Sequence, residues 1–183
     1  MISKEFEKEL GYITDTKLQE FITKVLDSLP VYFSTVAAST TGKYHPSYAL
    51  GEGGLVRHTK AAVRIAKELV GSGLFGKMNE DVIYASLIIH DGLKCGNNGS
   101  QYTVFDHPIL ISQFVEEKAN ELNFENKDLI VEIKKCVECH MGQWNTDRRS
   151  SVVLPKPETK IEKVVHLADY LASRKSLEFN FEV

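Results

Sequence analysis

Apolar side chains recur along this chain at helical spacing, and hardly anywhere at the alternation of a half-buried strand. Leu18, Phe21, Ile22, Val25, Leu26 and Leu29 mark one face of a helix that starts after a Thr14/Asp15 cap and stops before Pro30. A loop-like stretch, TTGKYHPSYALGEGG, runs from Thr40 to Gly54. The next helix covers about Leu55 to Val70 and is closed by Gly71. Asn79 is placed to cap a short apolar helix, DVIYASLIIHD, which stops at Gly92. Leu93 to Asp106 reads as loop, and Pro108 suits the first turn of a helix reaching about Leu122. A further helix spans about Asn126 to His140 and ends near Gly142. The segment MGQWNTDRRSSVVLPKP is a long loop, of a length that is often functional in a compact domain, and Pro157 opens a last helix to about Lys175. Only VYFSTVAAS and SVV are strand-like. The pattern predicts an all-α protein, a helical bundle carrying two long loops.

Length and composition narrow the class. The chain has 183 residues, of which 43% are apolar and 26% charged, enough for one domain with its own core. Residues 1–43 read as a helical N-terminal extension packed on a domain of residues 44–183. The formal net charge is -3 and no Lys/Arg block stands out, so no duplex DNA partner is expected; duplex binding rests on clustered positive charge. A nucleotide or a short single strand needs only a few local cations. No apolar run approaches the roughly 18 residues of a membrane span. The start, MISKEFEKELGYITD, lacks the basic-then-apolar order of a signal peptide, so a cytoplasmic location is the expectation. Three cysteines, Cys95, Cys136 and Cys139, are too few and odd in number for a disulfide framework. A homodimer through the N-terminal helix stays open, since no clear apolar seam marks a partner face.

Candidate chemistry lies in the histidines and aspartates that these helices carry. His58 shares a face with Leu55, Ala62 and Ile65; His90 and Asp91 end the apolar helix; His107 begins one; His140 follows Ile133 and Val137 on a stripe. Asp169 sits among Val164, Val165, Leu167, Ala168 and Leu171, where a carboxylate is costly unless paired or bound to a metal. A lone histidine on an apolar face is usually a hydrogen-bonded core residue, and an adjacent His-Asp pair is common by chance. The joint pattern is what counts: five helices each turn an imidazole or carboxylate toward the side that ought to be buried. Such a donor set suits Mn, Fe, Ni, Co or Zn. A carboxylate such as Asp91 is suited to bridge two ions.

The order His58, His90-Asp91, His107, His140, Asp169 resembles the HD superfamily of metal-dependent phosphohydrolases. GGLVRHT, ASLIIHDGLK, DHPILIS and VVHLADYLASR are similar to that family's segments, over about Tyr44 to Lys175. HPSYALGEGGLVRHT, HMGQW and LPKPET look closest to the HD domains of bacterial 3'-to-5' exoribonucleases, without their oligonucleotide-binding barrel, for which this chain is too short and too helical. The resemblance implies an all-α HD bundle. It implies that His58, His90, Asp91 and Asp169 hold one divalent metal, and that Asp91, His107 and His140 hold a second. It places Lys94 three residues after Asp91, where an ammonium neutralises charge on a transferring phosphoryl group.

Asp91 and Lys94 are therefore the expected catalytic pair, and Lys94, His45, Trp144 and Lys156 the expected substrate contacts. His45 would lie near the site mouth. Trp144, followed by Arg148, Arg149 and Lys156, pairs an aromatic with cations that suit a base and a phosphate. His166 is expected to support the site rather than ligate. Arg57, Arg64 and Arg174 read as helix-face cations. Cys136-Val-Glu-Cys139-His140 spells a haem-attachment pattern, discounted because no export signal precedes it and His140 is already needed. The expected activity is hydrolysis of a small phosphate ester, a nucleotide or a short oligonucleotide by a metal-activated hydroxide. Two alternatives share the ligand order: a mixed-valence di-iron oxygenase and a non-catalytic nucleotide-binding module.

Overall fold

The computed structural model describes residues 1–39, 41–43 and 45–177. The expected domain boundary at Tyr44 and the expected domain end at Val183 fall outside these residues. Ile2–Phe6 winds as a 3-10 turn and continues into α1 (Glu7–Leu10). Helix α2 (Thr16–Asp27) starts at Asp15, whose carboxylate accepts from the Leu18 amide at 3.1 Å and so satisfies one of the free N–H groups of the first turn. Helix α3 (Gly54–Gly71) carries His58, and α4 (Glu80–Ile89) ends at His90. Pro108 lies in the first turn of α5 (His107–Glu121), and the Asn126 side chain caps α6 (Lys127–Cys139). Helix α7 (Lys160–Ala172) completes an all-α bundle; among the described residues there is no strand.

Three local readings change. Pro157 does not open α7: Thr159 does, through a capping box in which its hydroxyl accepts from the Glu162 amide at 3.2 Å and the Glu162 carboxylate accepts from the Thr159 amide at 3.1 Å. The helix also stops at Ala172, short of Lys175. VYFSTVAAS is not a strand. After Pro30, Val31–Ser34 forms a 3-10 turn that buries Phe33 and lets the Tyr32 hydroxyl donate to the Gly96 carbonyl at 2.8 Å. SVV contributes only an isolated bridge, Thr146 to Val153, which pinches the long loop before α7.

Packing explains why α4 is central. Every residue from Val82 to Ile89 is buried, the mark of a helix surrounded on all sides. It packs against α2, α3, α6 and α7, so the His90-Asp91 doublet at its end emerges in the middle of the bundle. The N-terminal turns belong to the same core: Phe6, Leu10, Ile22 and Leu26 join Leu55, Leu87, Ile133 and Val165 in one cluster. Asp81 at the start of α4 pins them polar-side, accepting from the Thr14 and Asp15 amides, each at 2.8 Å. Two arginines read as plain surface cations have structural partners. Arg57 donates to the Tyr48, Leu50 and Glu52 carbonyls at 2.6, 2.8 and 2.9 Å, which holds the loop before α3, and Arg64 pairs with the fully buried Glu9 at 2.7 Å. No helix is long and apolar enough to cross a membrane among the described residues.

Candidate metal centre

Helix ends aim the imidazoles. A helix leaves its last carbonyls without amide partners. His90 and His140 follow the ends of α4 and α6, and each Nδ1 lies on the carbonyl three residues earlier, Leu87 at 2.7 Å and Val137 at 2.6 Å. His107 repeats this spacing at the turn into α5, with Nδ1 on the Val104 carbonyl at 2.7 Å. A carbonyl only accepts, so in the neutral form of all three rings Nδ1 carries the proton and Nε2 a lone pair. All four rings, His58 included, turn Nε2 toward one point. Gly92 lets the chain leave this crowded place, since a Cβ there would press on Leu29 and Ile111.

Two carboxylates complete the cluster. Asp91 Oδ2 lies 3.8 Å from His58 Nε2 and 3.6 Å from His90 Nε2. Its Oδ1 lies 3.0 Å from His107 Nε2 and 3.7 Å from His140 Nε2. Asp169 Oδ1 reaches His58 Nε2 at 2.9 Å and His90 Nε2 at 3.5 Å. Candidate donor atoms of His58, His90 and Asp91, of His90, His140 and Asp169, and of Asp91, His107 and His140 fall into three groups, each within 4.8 Å. All six residues expected as ligands thus meet, and the groups overlap through Asp91, His90 and His140.

The residues fit a bound cation on their own chemistry. His90 Nε2 is buried with no hydrogen-bond partner, an arrangement that costs free energy unless something electrophilic is there. His107 and His140 face each other Nε2 to Nε2 at 3.2 Å, with both protons already spent on carbonyls. Burial drives the Asp91 carboxyl upward, but Lys94, His90 and His107 outweigh it and hold it well below the usual carboxylate range. Asp169 behaves alike, its burial outweighed by His58 and His90. Burial, then His90 and His107, lowers His140 to about 3, so it stays neutral and available as a ligand. Nitrogen and oxygen donors without thiolate suit a divalent transition metal.

A cavity of about 410 Å³ opens onto the cluster, lined by His45, His58, Asp91, Lys94, Trp144, Asp169 and Arg174 among others. Lys94 sits in its wall and bonds Asp91 Oδ2 at 2.5 Å. Of the expected substrate contacts, Lys94, His45 and Trp144 share this cavity. Lys156 does not; it lines a separate groove with Lys135, Glu138 and Glu162. Arg149 is tied to Asp147 at 2.9 Å. His166 donates to or accepts at no ligand nitrogen; its Nδ1 lies 2.7 Å from the His140 carbonyl, which supports the turn behind that ring. The cysteines are buried and free, and burial pushes the Cys136 thiol up to about 12. Tyr170 and Arg174 line the cavity as well, where from the sequence Arg174 reads only as a helix-face cation and Tyr170 is not singled out. His166 and Tyr170 are spaced by four on α7, and Arg174 follows at the same spacing just past the helix end at Ala172.

The chain belongs to the HD domain family, whose model matches residues 55–174, and its cluster of histidines and aspartates could hold a metal. It is similar to a protein named 3'-5' exoribonuclease YhaM from Oceanobacillus iheyensis, with 23% identity over 96% of this chain and 54% of the relative. The chain therefore spans about half the length of that curated relative. No solved structure matches it.

Proposed function

We propose that this chain is a phosphohydrolase that cleaves a phosphoester bond in a nucleotide or in a short single-stranded oligonucleotide. The observation that carries the reading is Asp91. One of its oxygens faces His58 and His90, the other faces His107 and His140, and Lys94 stands beside it. A carboxylate so placed could be shared by two ions. In this reading His58, His90, Asp91 and Asp169 hold one divalent transition metal (Mn, Fe, Ni, Co or Zn), and Asp91, His107 and His140 hold a second. Residues 44–183 are the catalytic unit and residues 1–43 an extension packed on it.

Metal bound here supplies Lewis acidity and a nucleophile drawn from water near neutral pH. The chain's own groups do the rest. His90, His107 and His140 keep their lone pairs on the site because their Nδ1 protons are held by backbone carbonyls. Lys94 places an ammonium at the cavity wall, where it neutralises charge that grows on the phosphoryl oxygens. His45 is lowered to about 4 by burial and by His58 and Lys94, so at neutral pH it meets a phosphate as an uncharged hydrogen-bond partner. The name of the similar exoribonuclease favours an RNA end as the substrate.

The test is turnover by purified, metal-loaded protein on a panel of nucleoside monophosphates, cyclic nucleotides, dinucleotides and short RNAs. Hydrolysis that is lost in Asp91→Ala supports the proposal. Oxygen consumption with tightly held iron and no hydrolysis would replace it with the di-iron oxygenase. Nucleotide binding without any turnover would replace it with the sensor module.

A further inference from the structure

We infer that Trp144, Tyr170 and Arg174 form a stacking subsite for one unpaired nucleobase, blind to which base it is, at the mouth of the metal centre. The inference rests on the phosphohydrolase reading for the position of the phosphate, and on the following geometry for the base.

Tyr170 follows Asp169 directly on α7, and both line the same cavity. The Trp144 and Tyr170 rings stack with centroids 5.6 Å apart and planes 20° from parallel. The Arg174 guanidinium lies 4.5 Å from the Tyr170 centroid and 5.7 Å from that of Trp144. All three line the cavity that holds His58, Asp91, Lys94 and Asp169.

Trp144 is 43% exposed, an unusual state for so large an apolar ring, and core packing does not account for it. Its neighbours hold it in place. The His166 ring stands edge-on to it at 6.5 Å, and His166 is itself fixed by the His140 carbonyl. Arg174 makes its hydrogen bonds to Ser173 and to the Tyr170 carbonyl, and no described carboxylate pairs with it. Its guanidinium lies over the two rings.

These features select a class of ligand. A rigid aromatic face with an adjacent cation attracts any flat π system, and every nucleobase offers one. Stacking does not read the hydrogen-bonding edge, so the four bases are treated alike. A base inside a duplex already has both faces covered and cannot reach the wall. The cavity of about 410 Å³ is of the size that takes a single small ligand. The subsite thus fits the terminal nucleotide of a single strand, or a free nucleotide, with its phosphate toward Lys94.

The chain has one tryptophan, so its emission reports on this wall alone. The experiment titrates Asp91→Asn protein with each of the four ribonucleoside 5'-monophosphates, with ribose 5-phosphate and with inorganic phosphate. All four nucleotides should quench the emission to saturation, with affinities within about tenfold of one another, while the two base-free probes leave it unchanged. Arg174→Met and Tyr170→Leu keep the fluorophore and should each weaken nucleotide binding about tenfold. Circular dichroism matching the parent checks that both are folded.

Ribose 5-phosphate binding as tightly as the nucleotides would overturn the subsite. So would nucleotide affinity left intact in both variants, or a strong preference for one base. Saturable quenching in a protein that hydrolyses nothing would keep the subsite while the phosphohydrolase reading falls. Equal hydrolysis of base-free and base-bearing diesters, without quenching, would do the reverse.

Discussion

His107 and His140 point their Nε2 atoms at each other across 3.2 Å, while each gives its Nδ1 proton to a backbone carbonyl. Two lone pairs face one another, and the contact is unfavourable until a cation draws on both. His140→Ala should therefore cost the protein one bound ion and leave the other. Elemental analysis of purified protein after dialysis gives the stoichiometry. An unchanged ion count would end the two-metal proposal; loss of both would show that the groups sharing His90 and Asp91 bind as a unit.

Lys94 is a different kind of partner, a charge in the cavity wall rather than a ligand. Lys94→Met should lower kcat by about 10²-fold, in the range found when one group that stabilises a transition state is removed, with metal content unchanged. Steady-state kinetics and metal analysis on the same preparation check this. A rise in KM with kcat preserved would reassign Lys94 to ground-state binding.

Arg64 and Lys17 separate buried from exposed charge. Arg64 pairs at 2.7 Å with Glu9, whose side chain is fully buried; Lys17 pairs at 3.0 Å with Glu125 in open solvent. Arg64→Ala strands a carboxylate in the core and should cost about 3 kcal/mol. Lys17→Ala should leave stability unchanged, because water and salt already screen that pair. Urea unfolding of the two variants gives the comparison, and equal losses would contradict it.

Acid should destabilise the metal-free protein. An unfolded histidine titrates near 6.5, whereas buried His140 is lowered to about 3. Between those values the unfolded chain binds more protons, so stability falls as pH drops through that window. Asp91 and Asp169, both held well below 3.8, add a further loss at lower pH. His90 acts in the opposite sense: its raised pKa gives stability that is present below 6.5 and lost as pH rises through the folded value. Melting temperatures of chelator-treated protein from about pH 7 down to about pH 4 should decline. A flat or rising profile would mean that His90 outweighs the other three.

Much of this was legible in the chain because periodic burial leaves a periodic trace. The face Leu18, Phe21, Ile22, Val25 predicts α2, and the spacing around His58 predicts α3. The six side chains that meet were readable as a set, since each stands where its helix turns inward. Elements governed by few residues were not. Ile2–Phe6 and α1 are too short to show a repeat. Val31 to Ser34 has β-branched and aromatic residues but no partner strand, so Pro30 and the burial of Phe33 decided its shape. Thr159-Lys-Ile-Glu162 is a helix-start signal that outranks Pro157 and was visible in the sequence. Lys156 illustrates the remaining limit: two residues in one loop, Trp144 and Lys156, face different clefts, and the path between them depends on the Thr146 to Val153 pinch.

His58 and Asp169 touch although 111 positions separate them. An ion gripped by that pair and by His90 would be a rivet through α3, α4 and α7. The same rivet that performs the chemistry would then fasten the two ends of the catalytic region, so starving the protein of metal would loosen its architecture as well as silence it.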